Sequence, residues 1–166
     1  MSDSDAPKII FPDICKGPRF FLDRSGIYIS NTAYCLGIDD PYLLGILNSR
    51  LFWFAISNIS IPFGIRAGQY RYRLIYQYME KVPIRAIDFS SHADVAFHGR
   101  MLELVSQMLK MQNQLPSVKP PHGKDSFIRR ISSIDNEIDR IVYQLYGLNE
   151  DDIAIVEKSC STSGPL

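Results

Sequence analysis

The sequence predicts an α+β fold: a small mixed or antiparallel sheet domain with packed helices, followed by a C-terminal antiparallel helical hairpin. Three observations predict it. Short β-rich runs broken by turn residues fill the stretch from Lys8 to Ile38, and an Asp-Pro helix start follows at Asp40 and Pro41. Beyond Phe89 the apolar residues change to a helical period.

Taken in order, "KIIFPDI" opens as a strand. "RFFLD" and "GIYIS" are β-rich runs joined by "RSG", which predicts a hairpin, and "TAYCLGI" adds another strand. "DDP" supplies an Asp cap and a Pro at the first helical position, so a helix runs through "YLLGILNS" and continues or restarts at Leu51. Pro62, Gly64 and Gly68 break the pattern into a loop. "QYRYRLI" alternates as a strand does, "QYMEKV" suits a short helix, and "PIRAI" is a closing extended segment. Phe97, Met101, Leu104, Met108, Met111 and Leu115 then fall at four- and three-residue spacing, one apolar seam that Pro116 ends. After the connector "PSVKPPHG", Ile131, Ile134, Ile138, Ile141 and Leu145 repeat the spacing. Gly147 is placed as a C′ glycine, and "NEDDIAIVEK" starts a last helix with acids in its first turn. The expected organisation is a globule over residues 8–88, a helical hairpin over 89–158, and loose polar termini at 1–7 and 159–166.

At 166 residues and 46% hydrophobic, the chain can bury one well-packed core. Its zero formal charge hides an asymmetry. Lys8 to Lys81 carries nine bases against five acids, whereas Val82 to Leu166 carries nine against eleven. Between Pro41 and Met79 there is no Asp or Glu, yet Arg50, Arg66, Arg71 and Arg73 fall there, with Tyr70, Tyr72, Tyr76 and Tyr78 close by. Cys15, Cys35 and Cys160 are odd in number and lack a CxxC spacing, which predicts buried thiols in a reducing, cytoplasmic setting rather than disulfides or zinc. Asn48, Ser49 and Arg50 interrupt the most apolar run, which suits a buried helix pair better than a membrane span. There is no signal-peptide pattern.

Signals for catalysis are poor. His92 and His98 are six apart, the wrong spacing for adjacent helical ligands, and His122 lies in the helical part too, so no metal is expected. "GPRFF" and "GIRAG" do not match phosphate-cradling loops, and no GxSxG is present. Asp13 after Pro12 invites comparison with a metal-dependent nuclease, but a turn-forming Pro-Asp explains it without chemistry. Trp53 reads as core, and Met101, Met108 and Met111 as helix packing.

The arginine–tyrosine run points to a polyanion. Guanidinium binds phosphate as a fork and reads guanine in bidentate fashion, Gln pairs with adenine, and tyrosine hydroxyls bond phosphates. Glycines in "FGIRAGQ" let backbone approach a large ligand. The candidate contacts to duplex DNA are therefore Arg66, Gln69, Tyr70, Arg71, Tyr72 and Arg73, with Lys16, Arg19 and Arg24 adding phosphate contacts. The competing reading is a helical protein-interaction or dimerisation module that uses the two seams.

The blocks "KIIFPDICKGPRFFLDRSGIYISNTAYCL", "DDPYLLGILNSRLFWFAI" and "GQYRYRLIYQYMEKVPI" resemble the TaqI-like C-terminal specificity domain, the target-recognition domain of restriction–modification enzymes and adenine-N6 DNA methyltransferases. "DNEIDRIVYQLYGLNEDDIAIVE" resembles the segment that ends many of those enzymes, so the likeness runs from about Lys8 to Glu157. It implies a non-catalytic module, a C-terminal piece of a longer type IIG/IIS-like enzyme or adenine-specific methyltransferase. By the same resemblance the partners are double-stranded DNA and an N-terminal methyltransferase domain, with S-adenosylmethionine bound in that other domain. Residues 8–88 would then be the target-recognition part and 89–158 a spacer or docking segment. Neither an "NPPY"-type motif nor a glycine-rich cofactor loop occurs here.

Overall fold

The computed structural model describes residues 6–114 and 121–161. Strands β1 (Lys8–Pro12), β2 (Ile14–Cys15), β3 (Phe21–Asp23) and β4 (Ala33–Leu36) come first. Helices α1 (Pro41–Leu47) and α2 (Arg50–Ile59) precede a second pair of strands, β5 (Pro62–Arg66) and β6 (Gln69–Arg73). Helices α3 (Tyr76–Met79), α4 (His92–Gln114), α5 (Pro121–Leu145) and α6 (Glu150–Ser161) complete the chain. The strands form two three-stranded antiparallel sheets, ordered β3-β1-β4 and β2-β6-β5. The fold is α+β, as the sequence predicts.

The two sheets are joined at Asp13. Its amide donates to the Thr32 carbonyl, and its carbonyl accepts from the Leu74 amide, so one residue is held on both sides as the chain leaves β1 and enters β2. Leu74 itself is fully buried.

The hairpin expected between "RFFLD" and "GIYIS" does not form. β3 pairs with β1, and residues 26–30 form no strand. The reason is Asp23, a buried carboxylate that accepts from the amides of Ser25 and Ile27, from the Ser25 hydroxyl and from Lys8 Nζ at 3.0 Å. The Ile27 amide, which a second strand would have donated to a ladder, and the Ser25 amide of the expected turn are used to satisfy a buried charge. Burial opposes that charge, but the hydrogen bonds from Ser25 and Lys8 outweigh it and hold Asp23 well below the ordinary carboxylate range.

The helix starts follow the expected chemistry. Asp40 accepts from the Leu43 amide at 3.1 Å, with Pro41 at the first position of α1. The apolar run then restarts: Ser49 caps α2 by accepting from the Phe52 amide and donates its hydroxyl to the Ile46 carbonyl. Asn48, between the helices, accepts from the Phe20 amide and donates to the Phe20 and Leu44 carbonyls, tying the segment before β3 to the end of α1. The loop expected over Pro62–Gly68 is instead strand β5 and a tight turn. Pro83–Ile87, expected as extended, carries no strand; the Tyr42 hydroxyl donates to the Arg85 carbonyl and the Tyr146 hydroxyl to that of Pro83.

The helical seams meet each other. Met101 and Leu104 of α4 and Ile134, Ile138 and Ile141 of α5 are buried within one cluster that also holds Ile9, Ile46, Ile56 and Leu74. Leu115 and Pro116 lie outside the described residues, as do all but the last three residues of the connector, and those three begin α5. Gly147 has φ +68° and completes the α5 cap: its amide donates to Gln144 and that of Leu148 to Tyr143. At the start of α6, Asn149 and Asp152 exchange side chain-to-amide hydrogen bonds. Among the described residues no helix is long and apolar enough to cross a membrane.

Candidate nucleic-acid interface

The arginine–tyrosine run forms a β-ribbon. β5 and β6 pair antiparallel, with Arg66 opposite Gln69, Ile65 opposite Tyr70 and Pro62 opposite Tyr72. Ala67 and Gly68 link them, both at positive φ (52° and 75°), which is the two-residue turn whose twist matches paired strands. Between Pro62 and Ile65 the register shifts by one residue, and Gly64, at φ +74°, takes up the bulge. All five residues of β5 are exposed, whereas in β6 only Tyr70 is, so β5 is the solvent-facing edge of the ribbon.

Strand alternation sorts the side chains. Tyr72 turns toward the helices, its ring edge-on to Trp53 at 5.6 Å, and Tyr70 and Ile65 share that side nearer the tip, where they are exposed. Gln69, Arg71 and Arg73 fall on the other side, and Arg66, as the partner of Gln69, joins them. The bulge turns Phe63 to this side as well. The guanidinium carbons of Arg71 and Arg73 each lie over its ring, 5.7 Å from the centroid. Four of the six predicted contacts on the ribbon thus converge on one face, while Tyr70 and Tyr72 lie on the opposite one.

The cations differ in what holds them. Arg73 is clamped by Asp13, with Nε and Nη2 donating to the two carboxylate oxygens at 3.1 and 2.8 Å, and the hydrogen bonds from that carboxylate raise the arginine further above its ordinary pKa. Arg24 is held in the same bidentate way by Asp39, with Nη2 to Oδ1 at 2.7 Å, both groups exposed. Among the described residues no carboxylate lies within ion-pair distance of Arg66, Arg71, Lys16 or Arg19. Arg71 Nε is sheltered without a hydrogen-bond partner among those residues. Lys16 directly follows β2, whose Cys15 opposes Tyr72, so it borders the ribbon. Arg19 stands elsewhere, on a cleft of about 320 Å³ between α1, α4 and α5 lined by Val105, Met108, Ile138 and Asp135. Arg24 lies beyond β3 in the other sheet. Lys16, Arg19 and Arg24, the expected phosphate contacts, are therefore dispersed.

Two residues of this face escaped sequence reasoning. Phe63 was hidden because the glycines around it read as a loop; the signal was the "AG" pair flanked by residues that alternate on both sides. Asp13 reads in the sequence as a turn-former, with metal chemistry as the weaker alternative, and its partner lies sixty positions away. Its carboxylate is committed to Arg73, and among the described residues no three His, Cys, Asp or Glu side chains gather as a metal would need.

Residues 4–84 match the family model of the TaqI-like C-terminal specificity domain. The chain also superposes, with a TM-score of 0.66 and 16% identity, on a solved structure described as the Type IIL restriction-modification enzyme MmeI in complex with DNA. That match covers 100% of this chain but 22% of the other, so the chain spans about a fifth of that enzyme's length. At such identity the likeness is one of fold. The family match stops at residue 84, short of Glu157, so the helical half is covered by the fold match alone. Over residues 4–84, just under half of its length, this chain is similar to the TaqI-like C-terminal specificity domain family.

Proposed function

We propose that the chain binds duplex DNA sequence-specifically, as the target-recognition module of a type II restriction–modification enzyme or adenine-specific DNA methyltransferase. In this reading it positions a separate catalytic domain, and S-adenosylmethionine is held in that domain. The observation that carries the proposal is the β5–β6 ribbon at an exposed sheet edge, with Arg66, Gln69, Arg71 and Arg73 on one face. A two-stranded ribbon is narrow enough to enter the major groove, where arginine reads guanine and glutamine reads adenine by paired hydrogen bonds. The family of residues 4–84 supports the reading, as does a similar fold in an enzyme solved with DNA.

Within the module, Arg66, Gln69 and Arg71 are the base readers, and Lys16 borders them as a phosphate contact. Arg73, already neutralised by Asp13, stiffens the base of the ribbon. Met101, Leu104, Ile134, Ile138 and Ile141 of the seams are buried in the chain's own core, which favours this reading over the interaction module. Fluorescence anisotropy with labelled duplexes over a salt series tests the proposal. Affinity should fall steeply, with a log–log slope of about −0.9 for each phosphate neutralised. Binding indifferent to ionic strength, or no binding to any duplex, would count against it.

A further inference from the structure

We infer that Phe63 reads the 5-methyl group of thymine within the ribbon's proposed DNA face. This rests on the duplex-binding reading and adds a determinant of which bases are chosen. Phe63 is 47% exposed, a large ring left in water on a strand whose five residues are all exposed. It stands on the side of the ribbon that carries Arg66, Gln69, Arg71 and Arg73, not on the side that packs against the helices. The ring reaches that side because β5 holds one extra residue, taken up by Gly64 at positive φ. Without the bulge the alternation would put one fewer side chain on the arginine face; bulges re-aim side chains in this way.

An intact duplex keeps its base faces stacked and shows only edges in its grooves. The one apolar group on those edges in the major groove is the thymine methyl. A ring with two guanidiniums over it, on the face that also carries Gln69, offers an apolar contact among polar ones, the complement of a thymine next to a guanine or adenine edge. Gly64 is required by the bulge itself, since its φ of +74° is a conformation that residues with a Cβ rarely adopt.

The test begins by enriching tight binders from a random duplex pool with the full chain. Each enriched duplex is then compared with copies in which single thymines are replaced by uracil, which removes only the methyl. Wild type should lose about fourfold in affinity at one or more thymines, the value of one methyl group taken out of water. Phe63→Ala should bind thymine and uracil copies alike, while Phe63→Leu, which keeps an apolar side chain, should retain most of the difference. Because Phe63 lies outside the core, circular dichroism should show both variants folded. Wild-type indifference to uracil at every thymine, or undiminished discrimination by Phe63→Ala, would overturn this inference alone. Failure to enrich any duplex would overturn the DNA reading and this inference with it.

Discussion

Asp13 and Arg71 show how single side chains divide labour on one surface. Asp13 belongs to two backbone hydrogen bonds and one bidentate ion pair, so its carboxylate stands beside the arginine face as a fixed internal anion. Arg71, two residues from the clamped Arg73, has no carboxylate of its own among the described residues. Under the proposed function the two should respond oppositely. Arg71→Ala should weaken binding by on the order of 1–3 kcal/mol and relax the preference at one base position. Asp13→Asn, which keeps an acceptor for Arg73 but removes the negative charge, should tighten non-specific binding and steepen the salt slope by about one phosphate. Anisotropy titrations of both variants at several salt concentrations check this; matching slopes in Asp13→Asn and wild type would contradict it. The arginines themselves were legible in the sequence because their acid-free neighbourhood is local. Their anionic neighbour was not, because the pairing depends on strands distant in sequence lying side by side.

Elements were legible where their signals are local and ambiguous where a competing hydrogen bond exists. Asp40 with Pro41 and Gly147 after Leu145 announce helix ends through the geometry of one or two residues, and the structure places those ends there. Residues 26–30 have strand propensity, yet the Asp23 carboxylate claims the amide of Ile27 and that of Ser25 just before the run. The contact between α1 and α4 belongs to this scale too. An added Cβ on Gly45 would lie 2.5 Å from Met101 Sδ and 3.2 Å from Val105 Cγ2, both side chains buried. Glycine in a helix normally costs stability relative to alanine, so its presence here reflects the close approach of two helices. Gly45→Val should therefore destabilise the fold by about 1–3 kcal/mol through overpacking, seen as a lower urea midpoint without loss of helical content.

At the scale of the whole molecule, the β-rich and helical halves are joined by charge as well as by the shared core. The Arg50 amide donates to Asp139 at 2.8 Å, and its guanidinium reaches Asp139 at 3.2 Å and Glu157 at 3.7 Å, so α2, α5 and α6 meet at one arginine. Burial pushes Asp139 up to about 6, against the pull of Arg50. A carboxyl raised in the folded state holds its proton more tightly folded than unfolded. Its contribution to stability is thus full below its ordinary value near 3.8 and is lost as pH rises through about 6. Asp139→Asn removes that titration, so the stability of wild type relative to the variant should decline between about pH 4 and pH 6.5, as chemical denaturation at each pH would show. A relative stability that climbs over this window would mean that the ion pair with Arg50 outweighs desolvation.

What the sequence determined by itself is what short-range chemistry determines. That covers the α+β class, the helix caps, the two seams and the concentration of arginine without acid, each set by residues within a few positions of one another. Only the tertiary structure decided which arginines share a face, which are neutralised, and that a bulge delivers Phe63 among them. Those outcomes depend on strand register and on side chains dozens of positions apart. A shift of one residue in that register sends a side chain to the opposite face, and no local propensity encodes it.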